Sequence, residues 1–281
     1  MTDDSKESAR ISRRDTGITM TGGLAATGAS MALGALGVPL SPIAAPIVNA
    51  LVSRGLRKLA ADMAQRQLSD RERQRVEEVI EVAQATIERN LEEGKRPRAD
   101  WQKPPWPGEP SPDAAEITEG VLVAAQRQHE SRKVAILGRI LGNLAFTPQV
   151  DRDYANALVR TAGELSYRQF CLLKLLTDAE ITAHNLPSKI LVADGTGPVV
   201  GLLTDMLDLH RRTMVQQRNQ DDTEGVIVLT AFQIEPNRLR TVTGPGGWIF
   251  ELGELATSIP EDDLRTIADL LHAYAAPPPD L

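Results

Sequence analysis

The sequence predicts a mainly α-helical protein with three parts: a Gly/Ala-rich N-terminal segment of membrane type, a helical bundle, and a small winged-helix-like α+β module. A run of 38 residues, 16–53, contains no Asp, Glu, Lys, Arg or His. Beyond residue 69, apolar residues recur at helical spacing behind two capping boxes. Near the C-terminus, two strand-like runs lie between helical patterns. We therefore divide the 281 residues into 1–60, 61–94, 95–112, 113–186 and 187–281.

The charge-free run has the length and flanks of a membrane segment. Residues 17–38 match the roughly 20 apolar residues that a spanning helix needs. Both flanks are basic, so both ends favour the cytoplasm, as in a hairpin or re-entrant segment that turns near residues 39–42. Small residues at a spacing of four form one helical stripe, which allows close helix packing in lipid and predicts oligomerisation. The stripe consists of Gly22, Ala26, Ser30 and Gly34.

Two other interpretations of this run stay open. It could be a buried Gly/Ala-rich core or a passive leader. It could also be a twin-arginine export signal, because Arg13 and Arg14 precede a mildly apolar run. Thr16 and Gly17 stand where that signal usually has Phe and Leu. We expect membrane insertion through residues 17–52, homo-oligomerisation, and a location on the cytoplasmic side of the inner membrane, with the cytoplasm as the alternative.

The pattern of residues 61–94 predicts an amphipathic helix. A capping box formed by Ser69 and Glu72 marks its start, and Gly94 marks its end. Residues 95–112 hold six prolines and read as a semi-rigid connector. Trp101 and Trp106 lie in this connector. They either pin it onto the bundle or offer an interfacial contact to lipid or to a partner.

The bundle of residues 113–186 begins with a predicted long helix, which Asp113 and Glu116 cap and which runs to about Phe146. A shorter helix is expected over residues 152–163. A second capping box, at Ser166 and Gln169, opens another helix. Cys171 on that helix has no basic neighbour, so we interpret it as a packing thiol.

In residues 187–281 the pattern predicts a helix over 199–218, strands over 226–232 and 238–243, and a turn at 244–247. A short helix over 249–256 follows. Residues 258–261 then open a last helix that runs to about Tyr274, with Pro260 at a favoured early position. This order has a winged-helix-like outline. Residues 151–281 carry 11 Lys and Arg against 19 Asp and Glu. That charge disfavours nucleic acid and favours a protein partner for this acidic module.

The sequence shows no catalytic, cofactor-binding or metal-binding motif. It has no phosphate loop, HExxH, CxxC or GxSxG pattern. The acidic clusters at 221–224 and 261–263 lie in a predicted loop and in a first helical turn, where carboxylates are favourable without a cation. We therefore predict a protein that is not an enzyme and needs no cofactor or metal.

Residues 130–176 resemble the bacterial phage abortive-infection Abi-alpha family and related uncharacterised helical proteins. The similarity lies in a "Leu-Ser…Leu-Leu" helix and in the stretch TVTGPGGWIFELGELA near the C-terminus. The matching helix residues are Leu165, Ser166, Gln169, Leu172, Leu173, Leu175 and Leu176. The resemblance implies phage defence and supplies no catalytic residues. We expect a non-enzymatic membrane effector. The alternative is a soluble helical interaction or regulatory module that assembles through its N-terminal segment.

Overall fold

The computed structural model describes residues 69–98, 101, 113–177, 186–191, 197–217, 234–241 and 244–275. This part of the chain holds nine α-helices and one two-stranded sheet, which confirms the mainly α-helical fold and the bundle. The helices are α1 Asp70–Glu92, α2 Asp113–Gln126, α3 Ser131–Leu144, α4 Arg152–Glu164, α5 Tyr167–Thr177, α6 Pro198–Arg211, α7 Pro245–Leu252, α8 Leu255–Ser258 and α9 Glu261–Ala273. The strands are β1 Val215–Gln217 and β2 Leu239–Thr241.

Helix α1 begins at the predicted capping box. The Ser69 backbone N–H donates to the Glu72 carboxylate at 2.9 Å, and the Ser69 hydroxyl accepts from the Glu72 backbone N–H. The helix ends before Gly94, whose φ of +77° is in the left-handed region that favours glycine. Its buried face carries Val76, Val79, Ile80, Ala83 and Ile87.

The prediction of one long helix from Asp113 to Phe146 is wrong, because this part of the chain forms two helices, α2 and α3. At the break, the Gln128 side chain donates to the carbonyl oxygens of Ala124 and Gly163, at 2.9 and 3.0 Å. A single helix of that length would extend about 50 Å. The break instead lets α2 and α3 both pack against α1.

Helices α4 and α5 agree with the prediction. Asp151 caps α4 by accepting from the Tyr154 backbone N–H at 2.8 Å. The Ser166 backbone N–H donates to the Gln169 side chain at 2.8 Å, and the Ser166 hydroxyl accepts from the Gln169 backbone N–H at 3.2 Å. Every residue from 169 to 176 is buried, so α5 is a central helix of the core.

The C-terminal part differs from the prediction in several places. The helix expected over 199–218 ends at Arg211, and Thr213 adopts a φ of +58°. The chain then forms β1, which pairs antiparallel with β2 and places Gln216 opposite Arg240. The predicted strand 238–243 is therefore present as β2, but its partner is residues 215–217. The other predicted strand, 226–232, lies outside the described residues.

The predicted turn at 244–247 is wrong, since Pro245 begins helix α7. A Cβ atom on Gly246 would lie 2.3 Å from the Met214 carbonyl oxygen, so the glycine permits a close approach to the residue before β1. The helix predicted over 249–256 is interrupted at Gly253 and Glu254, and α8 follows. The last helix is present, but it starts at Glu261 with Pro260 at the N-cap, and Ser258 ends α8 instead of opening α9.

Buried apolar side chains form one continuous core with members from α1 to α9. Helix α7 contacts α3, α4 and α5, and α5 also contacts α9. The segments 61–94, 113–186 and 187–281 thus share this core where they are described. No helix among the described residues has the length and apolar character to cross a bilayer. The predicted membrane segment, residues 17–52, lies outside them.

Candidate functional site

The stripe residues Gly22, Ala26, Ser30 and Gly34, and also Trp106, lie outside the described residues. Trp101 is described and is only 1% exposed. Its backbone carbonyl accepts from the Ala114 N–H at 3.0 Å, and the Arg98 guanidinium lies 5.5 Å from its ring centroid. Arg98 also donates to the Val150 carbonyl oxygen at 2.6 Å. This burial favours the alternative in which Trp101 pins the connector onto the bundle.

A polar network that sequence reasoning missed is centred on Glu254, between α7 and α8. Glu254 has a φ of +51° and a ψ of 43°, a left-handed conformation that is unfavourable for a residue other than glycine. Its carboxylate accepts a hydrogen bond from the Asn143 side chain at 2.9 Å and another from the Arg89 guanidinium. Arg139 lies 3.8 Å from the second carboxylate oxygen. Side-chain contacts from α1 and α3 therefore hold a backbone conformation that is locally unfavourable.

The network continues into the body through two asparagines. The Asn143 side chain donates also to the Leu252 carbonyl oxygen at 2.9 Å, and it accepts from the Asn90 side chain at 2.8 Å. Asn90 is fully buried, and its amide oxygen accepts from the Lys95 ammonium at 2.8 Å. Buried amides are stable only when they are hydrogen-bonded, so the two asparagines specify how α1, α3 and the α7–α8 turn meet.

Two glycines on α3 bring Asn90 and Asn143 together. A Cβ atom on Gly138 would lie 2.9 Å from the Val79 carbonyl oxygen, and one on Gly142 would lie 2.6 Å from the Thr86 Cβ. Both distances are shorter than a normal contact, so the α1 and α3 backbones approach closely only because these positions lack side chains. The spacing Gly-x-x-x-Gly in residues 138–142 was a sequence signal for this contact.

A second cluster joins the starts of α3, α5 and α9. Asp263 accepts from the Tyr167 hydroxyl at 2.8 Å and from the Arg132 guanidinium at 2.6 Å. These bonds lower the pKa of Asp263, with the Tyr167 hydroxyl as the largest cause. Burial and the neighbouring Asp263 raise the pKa of Tyr167. The raised pKa keeps the Tyr167 hydroxyl protonated, so it donates a hydrogen bond that joins α5 to α9.

Three further buried side chains, Cys171, Lys133 and Lys174, contribute to packing and to hydrogen bonds with backbone carbonyl oxygens. Burial raises the pKa of the Cys171 thiol from 9.0 to about 12, so this thiol is a poor nucleophile. The Lys133 ammonium, whose pKa burial lowers, donates to the Gly163 carbonyl oxygen in the last turn of α4. Lys174 donates to the Ile259 carbonyl oxygen at the end of α8. Cations are favourable at these helix ends, where carbonyl oxygens lack helical partners.

Within the described ranges, no group of three His, Cys, Asp or Glu residues could hold a metal ion. The Glu254 network is therefore the principal candidate site. Its hydrogen bonds and ion pairs connect helices to each other. It joins α1, the first described helix, to the α7–α8 turn of the C-terminal part. Comparison with protein-family models, with curated proteins and with solved structures finds no match for this chain.

Proposed function

We propose that this chain is a non-enzymatic, membrane-associated bacterial protein whose residues 17–52 insert and assemble in the inner membrane from the cytoplasmic side. The observation that carries the proposal is the 38-residue run without charge, with three arginines before it and Arg54, Arg57 and Lys58 after it. Residues 17–38 of this run match the roughly 20 apolar residues that a spanning helix needs, and basic flanks on both sides of the run favour the cytoplasm for both ends.

In this proposal the helical body controls the membrane segment. Helix α1 is the first described helix after that segment, and Arg89 and Asn90 in its last turns belong to the Glu254 network. A change at the α7–α8 turn would therefore act on α1 through direct contacts. The left-handed conformation of Glu254 supports this role, because the turn can relax when its carboxylate loses its partners.

The trigger in this proposal is a protein that binds the acidic C-terminal module. Residues 187–281 would form the winged-helix-like unit, of which α6, β1, β2 and α9 are described. Residues 199–276 carry 6 arginines and 12 acidic residues, which disfavours a phosphate backbone as partner. The resemblance of residues 130–176 to the Abi-alpha family makes phage defence, through membrane damage, the proposed setting.

A second candidate function is a soluble interaction or regulatory module that assembles through its N-terminal segment. The Glu254 network and the continuous core are as compatible with this function as with the membrane effector. Both would also stabilise a body that does not contact a membrane. The two functions differ in where the full-length protein resides.

Fractionation of full-length tagged protein tests the proposal. The protein should pellet with membranes and resist a carbonate wash, which removes peripheral proteins. Replacing Leu24 and Leu33 by Asp places two charges in the apolar run and should release the protein into the supernatant. The matched control, Leu24→Phe with Leu33→Phe, should stay with membranes. Unmodified protein that is fully soluble before the wash would contradict the proposal and favour the soluble module.

A further inference from the structure

We propose that the end of the body where α1 begins and α2 ends docks onto an anionic lipid surface. Four arginines define this basic end: Arg71, Arg73, Arg75 and Arg127. The inference deepens the proposed function and rests on it, because it concerns how the body lies against the membrane that residues 17–52 enter. The partner is the anionic headgroup layer of a bilayer and not a soluble phosphate ligand.

Three of the four arginines lie in the first turns of α1, and side-chain bonds between α1 and the end of α2 place the fourth near them. The Arg75 guanidinium donates to the Gln126 carbonyl oxygen at 3.1 Å, and the Gln126 side chain donates to the Glu72 carboxylate at 3.4 Å. Arg127 directly follows Gln126, so it lies beside the first turns of α1. Arg71, Arg73 and Arg127 are all exposed to solvent.

These three cations differ from arginines in neighbouring elements. Arg132 pairs with Asp263, Arg168 with Asp205 and Arg212 with Glu164. Among the described residues, Arg71, Arg73 and Arg127 have no acidic group within ion-pair distance. Asp70 and Glu72 in the first turn of α1 carry negative charge beside them, and hydrogen bonds from Ser69 lower the pKa of Glu72. The four arginines of the basic end outnumber these two carboxylates, so positive charge remains available to a partner.

The position of the basic end in the chain points to a membrane as that partner. The described body begins at Ser69, and 15 residues separate it from Ser53, the last residue of the charge-free run. Such a connection spans at most about 50 Å. Residues 54–75 carry seven Lys and Arg against three Asp and Glu, whereas the whole chain has a net charge of −7. Clustered basic residues next to a membrane segment bind anionic lipid.

Nucleic acid fits this end less well than lipid does. The phosphate backbone would approach a chain whose residues 151–281 carry an excess of eight negative charges. Acidic residues of the C-terminal part also lie near this end, since Asp263 pairs with Arg132, five residues after Arg127. The preference for lipid therefore rests on the proposed membrane segment, which brings the basic end to a headgroup layer. Each arginine near an anionic surface strengthens binding about fivefold, so three of them should together change it about 100-fold.

Vesicle flotation of the full-length protein tests the proposal. The vesicles are either phosphatidylcholine alone or phosphatidylcholine with one third phosphatidylglycerol, each at low and at high salt. The test variant is Arg71→Gln with Arg73→Gln and Arg127→Gln, which keeps good helix formers. The matched control is Arg96→Gln with Lys189→Gln and Arg211→Gln, which removes the same charge from exposed positions in other parts of the chain.

We expect the unmodified protein to prefer anionic vesicles, with a preference that falls as salt rises. The test variant should lose most of that preference and still float with both kinds of vesicle, while the control keeps the preference. An unchanged test variant, an equal loss in the control, or displacement by duplex DNA at matched phosphate concentration would each overturn the inference. Protein that floats with neither kind of vesicle would overturn the proposed function itself.

Discussion

Asn143 donates a hydrogen bond of 2.9 Å to the Glu254 carboxylate across 111 residues of sequence. The bond connects the last turn of α3 to the turn between α7 and α8. The same Asn143 amide also donates to the Leu252 carbonyl oxygen, so one side chain fixes both the backbone and the carboxylate of this turn. Loss of the connection should therefore loosen the C-terminal part before it unfolds the bundle.

Glu254→Gln should destabilise the folded protein by about 1–2 kcal/mol. The change removes the negative charge that faces Arg89 and Arg139, and charge-assisted hydrogen bonds are stronger than neutral ones. Solvent reduces the effect, because the Arg89 side chain is 44% exposed. Urea unfolding followed by circular dichroism measures the free energy. Glu251→Gln, an exposed change one turn earlier, is the control and should be near neutral. Equal stability of the two variants would show that the carboxylate at 254 has no special role.

Two Gly→Ala changes in neighbouring helices should have opposite effects. Gly142→Ala places a methyl group 2.6 Å from the Thr86 Cβ and 2.9 Å from the Ala83 carbonyl oxygen, which forces α1 and α3 apart. Overpacking of this kind costs about 1–3 kcal/mol and outweighs the gain of about 1 kcal/mol in helix propensity. Gly120→Ala meets only Val159, at an ordinary 3.7 Å, and should stabilise α2.

Thermal unfolding of both glycine variants measures this difference. The melting temperature should fall for Gly142→Ala and rise for Gly120→Ala. A rise for both would mean that α1 and α3 pack less closely than these distances indicate.

Cys171 should not react with a thiol reagent at pH 8 until the protein unfolds. Burial raises the pKa of its thiol from 9.0 to about 12, so almost no thiolate forms in the folded state. Because the folded state binds this proton more tightly, the stabilisation is fully present below about pH 9. It is lost as the pH rises towards 12. Labelling with and without urea measures the reaction, and Cys171→Ala gives the background. Rapid labelling without urea would contradict the buried position.

The small-residue stripe predicts a loss of assembly without a loss of membrane binding. Gly22→Leu with Gly34→Leu makes residues 17–38 more apolar, but large side chains hold neighbouring helices apart. Crosslinking in membranes should show the oligomer of the unmodified protein and little oligomer of this variant, and any toxicity on expression should disappear. Leu24→Phe, a change on the flank, should remain mild. Normal assembly of the double variant would show that the stripe is not an interface.

Local chemistry made several elements predictable. The capping boxes at Ser69 and Ser166 and the stop at Gly94 are as predicted, because each needs only side chains within four residues of the helix end. The break between α2 and α3 was not predictable in this way. Residues 127–130 are Arg-Gln-His-Glu, a polar stretch that a solvated helix can also carry. The bond from Gln128 to Gly163 that stabilises the break comes from another helix.

The sequence by itself determined the helical class, the capped helix ends, the packing role of Cys171 and the presence of a charge-free N-terminal run. These depend on residue type and short-range spacing, which act before the chain folds. Only the tertiary structure decided that β1 pairs with β2, that Trp101 is buried, and that Glu254 adopts a left-handed conformation against Arg89 and Asn143. Those features join residues that lie far apart in the sequence. Their energies depend on which elements pack against each other, and no local pattern specifies those partners.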